Sequence, residues 1–109
     1  MSLFLEDMRE TLHVRRFRGM ADNGRREEHG PPEPHPCRWE PGARMVRTAD
    51  GRQQVAEGTV YTTARLTPRD LLWLPGAPPA DYTASRRALV TFERKELGTG
   101  AFDHTEVVV

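Results

Sequence analysis

The sequence predicts a small all-β domain, a β-barrel or sandwich of about five to seven short strands with long loops. Three observations carry that expectation. Apolar residues recur in short runs, at period two or without a break, and no run is long enough to call for a helix of more than two turns. Nine glycines and nine prolines punctuate these runs. The runs themselves are rich in Val, Thr, Tyr and Trp, side chains that fit a pleated surface.

A length of 109 residues suits one domain, residues 1–109, because a chain of this size buries roughly 60 to 70% of the surface its unfolded form exposes and cannot build a second core. The single cysteine, Cys37, closes no intrachain disulfide, so the fold rests on packing or on partners and suits a reducing compartment. Sixteen Lys and Arg balance sixteen Asp and Glu. The balance is also local, with ten basic and nine acidic side chains in residues 1–54 and six and seven in residues 55–109. Such neutrality argues against a general nucleic-acid binder, whose surface carries excess positive charge toward phosphates. Leu3, Phe4 and Leu5 run straight into Glu6 and Asp7, short of the roughly 7 to 15 apolar residues of a secretory signal. No run of about 18 apolar residues marks a membrane span, so no membrane association is expected.

Along the chain, residues 10–18 alternate, with Leu12, Val14 and Arg16 on one strand face and His13, Arg15 and Phe17 on the other. Gly19 ends the strand, and Asp22-Asn23-Gly24 is a turn signal because these residues tolerate positive φ. Four prolines between Gly30 and Pro36 remove backbone donors and are expected to bar both helix and central strand, so residues 19–36 read as an extended, mobile loop. Cys37-Arg38-Trp39 and residues 43–46 read as a strand interrupted at Pro41-Gly42, with Trp39 a core anchor. Residues 47–58 are polar, contain an Asp50-Gly51 turn signal and suit a projecting hairpin or mobile loop. Thr59-Val60-Tyr61-Thr62-Thr63 is the next strand.

Thr67, Pro68 and Asp70 have the pattern of one helical turn capped by Thr67. Leu71-Leu72-Trp73-Leu74 is a continuous apolar run, which predicts a strand covered on both faces with Leu72 and Trp73 as core anchors. Residues 75–86, holding Pro78-Pro79, form a third loop. Residues 87–97 pass from Leu89, Val90 and Phe92 into Glu93, Arg94, Lys95 and Glu96, a strand emerging into solvent. After a turn at Gly98-Thr99-Gly100, residues 104–109 return as a final strand paired with it.

Little in the sequence points to catalysis. His29, His35 and Cys37 raise the question of a metal, but their spacing fits no compact zinc pattern and prolines lie between them, so neither metal nor cofactor is expected. His13 and His104 each stand singly among charged neighbours and suggest no catalytic base. No nucleophile elbow or phosphate-cradling glycine loop is present, and the chain is not expected to be an enzyme. Arg15, Arg16 and Arg18 around Phe17 have the composition of a phosphate-contacting surface. Glu6, Asp7 and Glu10 lie just upstream, so a salt-bridged strand face, or contact with an acidic neighbouring subunit or partner, fits better. Long loops are uncommon in compact domains unless they have a function or are disordered. Three of them on a small core predict arms that settle against neighbouring copies in a ring.

Leu12-His13-Val14-Arg15-Arg16, Gly19, Asp22-Asn23-Gly24, Gly42-Ala43-Arg44-Met45-Val46, Gly58-Thr59-Val60-Tyr61-Thr62-Thr63, Asp70 and Leu71-Leu72-Trp73-Leu74-Pro75-Gly76 form a pattern that resembles the head-closure, or stopper, proteins at the head-to-tail joint of long-tailed bacteriophages and prophages. The similarity spans most of residues 10–109. The proline-rich insert from Gly30 to Pro36 is longer than in that family, and Ala77-Pro78-Pro79-Ala80 replaces its next strand.

The resemblance implies a small β-barrel, made in the bacterial host cytoplasm and monomeric in isolation, that assembles in the virion as a twelve-fold ring beneath the portal and adaptor. There it would extend the DNA channel, hold packaged DNA and dock the tail. In that family the loop between the middle strands projects into the channel and can close it, which here assigns the role to Arg47, Asp50, Gly51, Arg52, Gln53, Gln54 and Glu57. A neutral chain agrees with this, because a conduit for double-stranded DNA must not grip it. The alternative is a small β-barrel module that binds single-stranded nucleic acid or a ligand through Arg15, Arg16, Arg18 and Trp39.

Overall fold

The computed structural model describes residues 8–48 and 50–109; residues 3–7 and Ala49, on which some of the expectations above fall, lie outside them. Among the described residues six strands form one antiparallel sheet: β1 (Glu10–Ala21), β2 (Arg26–Arg47), β3 (Gln53–Thr62), β4 (Leu71–Trp73), β5 (Val90–Lys95) and β6 (Phe102–Val108). Their order in the sheet is β4-β1-β2-β3-β6-β5. The protein is therefore all-β, and among the described residues the one helical element is the 3-10 turn Tyr82–Ala84. The sheet stays open, although its two ends approach: Arg86, shortly before β5, exchanges hydrogen bonds of 2.8 and 2.7 Å with Leu72 of β4.

The largest departure from expectation is the proline-rich stretch. Residues 19–36 are not a loop: β1 continues to Ala21, Asp22 and Asn23 turn the chain with φ of 52° and 58°, and β2 begins at Arg26. Prolines fit inside this strand because successive residues direct their backbone groups to opposite edges. The Pro36 carbonyl accepts the Thr62 hydroxyl on the β3 side at 2.9 Å, whereas the Trp39 N–H points to the β1 side, where the Glu10 carboxylate accepts it at 3.1 Å. Pro32, Pro34 and Pro36 share one parity, so their missing donors all face an edge where β3 does not yet run, since β3 pairs β2 only from Cys37 onward. Pro31 falls in the register shift between Arg15↔Pro32 and Phe17↔His29. The four prolines thus forgo no ladder hydrogen bond.

One face of the sheet holds the core. Leu12, Val14, Cys37, Val60, Leu72 and Val107 are wholly buried there, with Trp39 packed half-buried against them. The apolar run 71–74 is covered on both faces as expected. Leu72 joins the core cluster, while Trp73 lies under the segment that follows, where its Nε1–H donates to the Asp81 carbonyl at 2.8 Å and its ring meets Tyr82 edge-on at 5.7 Å. Residues 75–86 remain outside the strands and fold down over the sheet by these contacts.

Residues 67–70 form a tight turn, closed by Asp70 N–H to the Thr67 carbonyl at 3.1 Å, instead of the expected helical turn. The Asp70 carboxylate anchors this turn. One oxygen accepts the Thr67 N–H at 2.9 Å, the contact a helix start would also use, and the other accepts the Phe17 N–H of β1, beyond the reach of β4, at 2.8 Å. The turn is thereby tied to β1. β5 and β6 form the expected hairpin, turning through Gly98 and Gly100 at φ of 90° and 72°.

Candidate assembly surface

β2 and β3 pair as part of the sheet as far as Pro41↔Gly58, slip register, and then continue as Arg44↔Ala56, Met45↔Val55, Val46↔Gln54 and Arg47↔Gln53. The strands lie close together at the slip. A Cβ on Gly58 would lie 2.6 Å from Trp39 Cη2 and nearer still to the Glu40 carbonyl, so the strands approach here as only glycine allows. Beyond this point β1 has ended opposite Cys37, and β6 reaches back only to Thr59. Among the described residues the result is a two-stranded arm with no strand beside it on either edge, in a molecule of 46 × 30 × 27 Å. Of the projecting hairpin or mobile loop expected for residues 47–58, the structure has the hairpin, with the turn confined to residues 48–52.

That turn is built by Thr48 N–H to the Arg52 carbonyl at 2.8 Å and Gly51 N–H to the Thr48 carbonyl at 3.0 Å, with Gly51 at φ of 85°. The Asp50 carboxylate takes the Thr48 hydroxyl and the Arg52 N–H, which hold its pKa below the usual carboxylate range. Arg52 Nε sits 3.6 Å away. Met45 and Val55 face each other on the arm, 59% and 65% exposed, an apolar pair that the protein's own fold leaves in solvent. Neither Arg44 nor Arg47 has an ion-pair partner among the described residues.

Of the residues assigned to the channel loop, Arg47, Asp50, Gly51, Arg52, Gln53 and Gln54 collect at the outer end of the arm. Glu57 stands apart at its base, where its N–H donates to the Val109 carbonyl at 2.6 Å and its carboxylate lies 3.3 Å from Arg86.

The three clustered arginines do not share one surface. Arg15 lies over the Trp73 and Tyr82 rings at 5.7 and 5.0 Å and donates to the carbonyls of Gly30 at 3.3 Å and Pro79 at 3.5 Å, tying β1 to β2 and to the 75–86 segment. Arg16, on the other face of β1, pairs with Glu33 at 3.4 Å and Asp70 at 3.6 Å. Arg18 is exposed, with its guanidinium laid over Gly30. Trp39 belongs to the core face.

His29, His35 and Cys37 also go separate ways. His29 Nε2 meets the Arg69 carbonyl at 2.9 Å. His35 lies 3.1 Å from Glu33, whose pKa is lowered first by this contact and then by Arg16. Burial, with Glu10 nearby, pushes the Cys37 thiol up to about 12. Among the described residues no group of three His, Cys, Asp or Glu is placed to hold a metal.

A transverse row on the outer sheet face escaped the sequence reading. Register aligns Arg38↔Tyr61↔Glu106↔Phe92 across β2, β3, β6 and β5. Arg38 stands 5.9 Å from the Tyr61 ring centroid, and Arg94 stands 5.1 Å from that of Phe92 and pairs with Glu106. His104, nearly buried, is flanked by Asp103 at 2.6 Å and Glu106 at 3.6 Å. Each residue alone reads as a solvated strand position, and no local signal announces a row that exists only through the pairing of four strands.

Comparison of the chain with protein-family models, with curated proteins and with solved structures yields no match.

Proposed function

We propose that this protein is a structural connector subunit of a phage head-to-tail joint, a head-closure ring component that extends the portal channel and docks the tail. The observation that supports it most is the arm. A paired ribbon with open edges, an exposed Met45–Val55 pair and a polar turn at residues 48–52 is poorly stabilised by its own domain, since an isolated two-stranded hairpin is marginal in water. Such an arm gains burial and hydrogen bonds when neighbouring copies surround it. Charge balance over the whole chain suits a surface past which DNA must slide without adhering. The nucleic-acid module has less support, because Arg15 and Arg16 are engaged within the fold and Trp39 packs on the core.

Hydrogen exchange tests the proposal. In isolated protein the amides of 44–47 and 53–56 exchange much faster than those of β3 residues 59–62. They become protected when portal and adaptor rings of the cognate phage are added. Arm protection already equal to that of 59–62 in the isolated chain, or no change with the rings present, overturns it. Salt-dependent binding of single-stranded oligonucleotide would favour the alternative instead.

A further inference from the structure

Native sheets protect their edges, and the edges of this one are treated unequally. The free edge of β2 opposite β1 is blunted by Pro32, Pro34 and Pro36, and the outer edge of β4 is met by Arg86. Among the described residues, the outer edge of β5 and the β2 side of the arm carry no such protection. In β5, Glu96 N–H bonds the Ala101 carbonyl at 2.7 Å just past the strand, so alternation turns the backbone groups of Thr91, Glu93 and Lys95 away from β6 into solvent. In the arm, Thr48 N–H faces Arg52, so the backbone groups of Met45 and Arg47 face away from β3. Neither strand contains proline over these residues. Within one chain the two edges cannot meet, because β3 and β6 stand between β2 and β5.

We infer that the arm edge of β2 in one copy adds antiparallel to the β5 edge of a second copy, in the register Arg47↔Glu93, Val46↔Arg94, Met45↔Lys95 and Arg44↔Glu96. Charge selects this alignment. It sets the two arm arginines opposite two carboxylates, keeps the Arg47–Glu93 and Met45–Lys95 pairs in hydrogen-bonded positions, and lays the aliphatic stem of Lys95 along Met45. Displacing it by two residues one way sets Arg44 against Arg94, a like-charge pair. The contact is heterologous, joining different surfaces of the two copies, so repetition closes a ring or continues as a filament. The turn at 48–52 stays free of the contact. The inference rests on the connector reading for its setting, as it names the neighbour that the arm grips.

The test is a charge exchange read by sedimentation velocity, both on the chain alone at high concentration and in the presence of portal and adaptor rings. Arg47→Glu and Glu93→Arg each weaken self-association roughly fivefold or more, and the two combined in one chain restore it. Met45→Pro removes an outward donor while sparing the β2–β3 ladder, and it abolishes association with an unchanged melting temperature. Full association by both single variants, or failure of the double variant to recover while its melting temperature is normal, overturns the inference. Rings that form with the portal regardless of these changes leave the connector reading standing and the strand addition refuted. Self-association that follows the charge exchange but ignores the portal does the reverse.

Discussion

Asp70→Ala should be the most damaging single substitution of a polar residue in this protein. Asp70 is 4% exposed, and its carboxylate accepts the Phe17 and Thr67 N–H groups at 2.8 and 2.9 Å while standing 3.6 Å from Arg16. Removing it strands two backbone donors and takes one of two carboxylates from Arg16. An unsatisfied buried donor costs about 1 to 3 kcal/mol. Water reaches part of this turn, so the lower half of that range applies to each donor and the total comes to about 2 to 4 kcal/mol. For a domain of this size that corresponds to a fall in Tm of roughly 10 to 25 °C, out of a total stability on the order of 5 to 15 kcal/mol. Asp70→Asn keeps one acceptor, turns an amide against the other N–H, and should cost about 1 to 2 kcal/mol. Urea melts measure both. A loss under about 1 kcal/mol for Asp70→Ala, or an Asn variant as damaged as the Ala variant, would show that this carboxylate does not hold the turn to β1.

Gly58→Ala forces a methyl against Trp39 and the Glu40 carbonyl and should destabilise by about 1 to 3 kcal/mol; equal stability in chemical denaturation would mean the strands can part there at no cost. Cys37, buried with its thiol pushed up to about 12, should resist a thiol reagent at pH 8 in the native state and react promptly once urea unfolds the chain. Arg87 bonds Glu27 and is the first cause of its lowered pKa. The folded-state value lies below the unfolded one, so the associated stability is present above the unfolded pKa and is lost as pH falls through the folded value. Arg87→Ala should therefore return the Glu27 titration, followed by NMR, toward the ordinary carboxylate range; an unmoved titration would assign the shift to another cause.

Much of the sheet is visible in the sequence because its signals are local. The alternation of residues 10–18, the Asn23-Gly24 turn, the apolar run 71–74 and the closing hairpin all depend on neighbours within a few positions, and all appear where the pattern puts them. The proline-rich segment does not, for a specific reason. Proline excludes a strand only where its missing donor would face a partner, and that depends on which side of β2 is occupied at each residue, a fact contained in β1 and β3. The candidate site divides the same way. Residues 47–58 announce a projection through their polarity and the Asp50-Gly51 turn, but the separation of Glu57 from the tip, the scattering of Arg15, Arg16 and Arg18, and the row from Arg38 to Phe92 follow from register and face.

Composition and short-range pattern by themselves determine that this chain is an all-β domain with balanced charge, a buried Leu72–Trp73 centre and an arm after the second strand, because period, turn chemistry and burial preference act over a few residues. Which edges are blunted and which stay open, and which charges are consumed inside the fold, is decided only by the tertiary structure. A backbone donor or a side-chain charge has no fixed meaning until the strand on either side of it is in place.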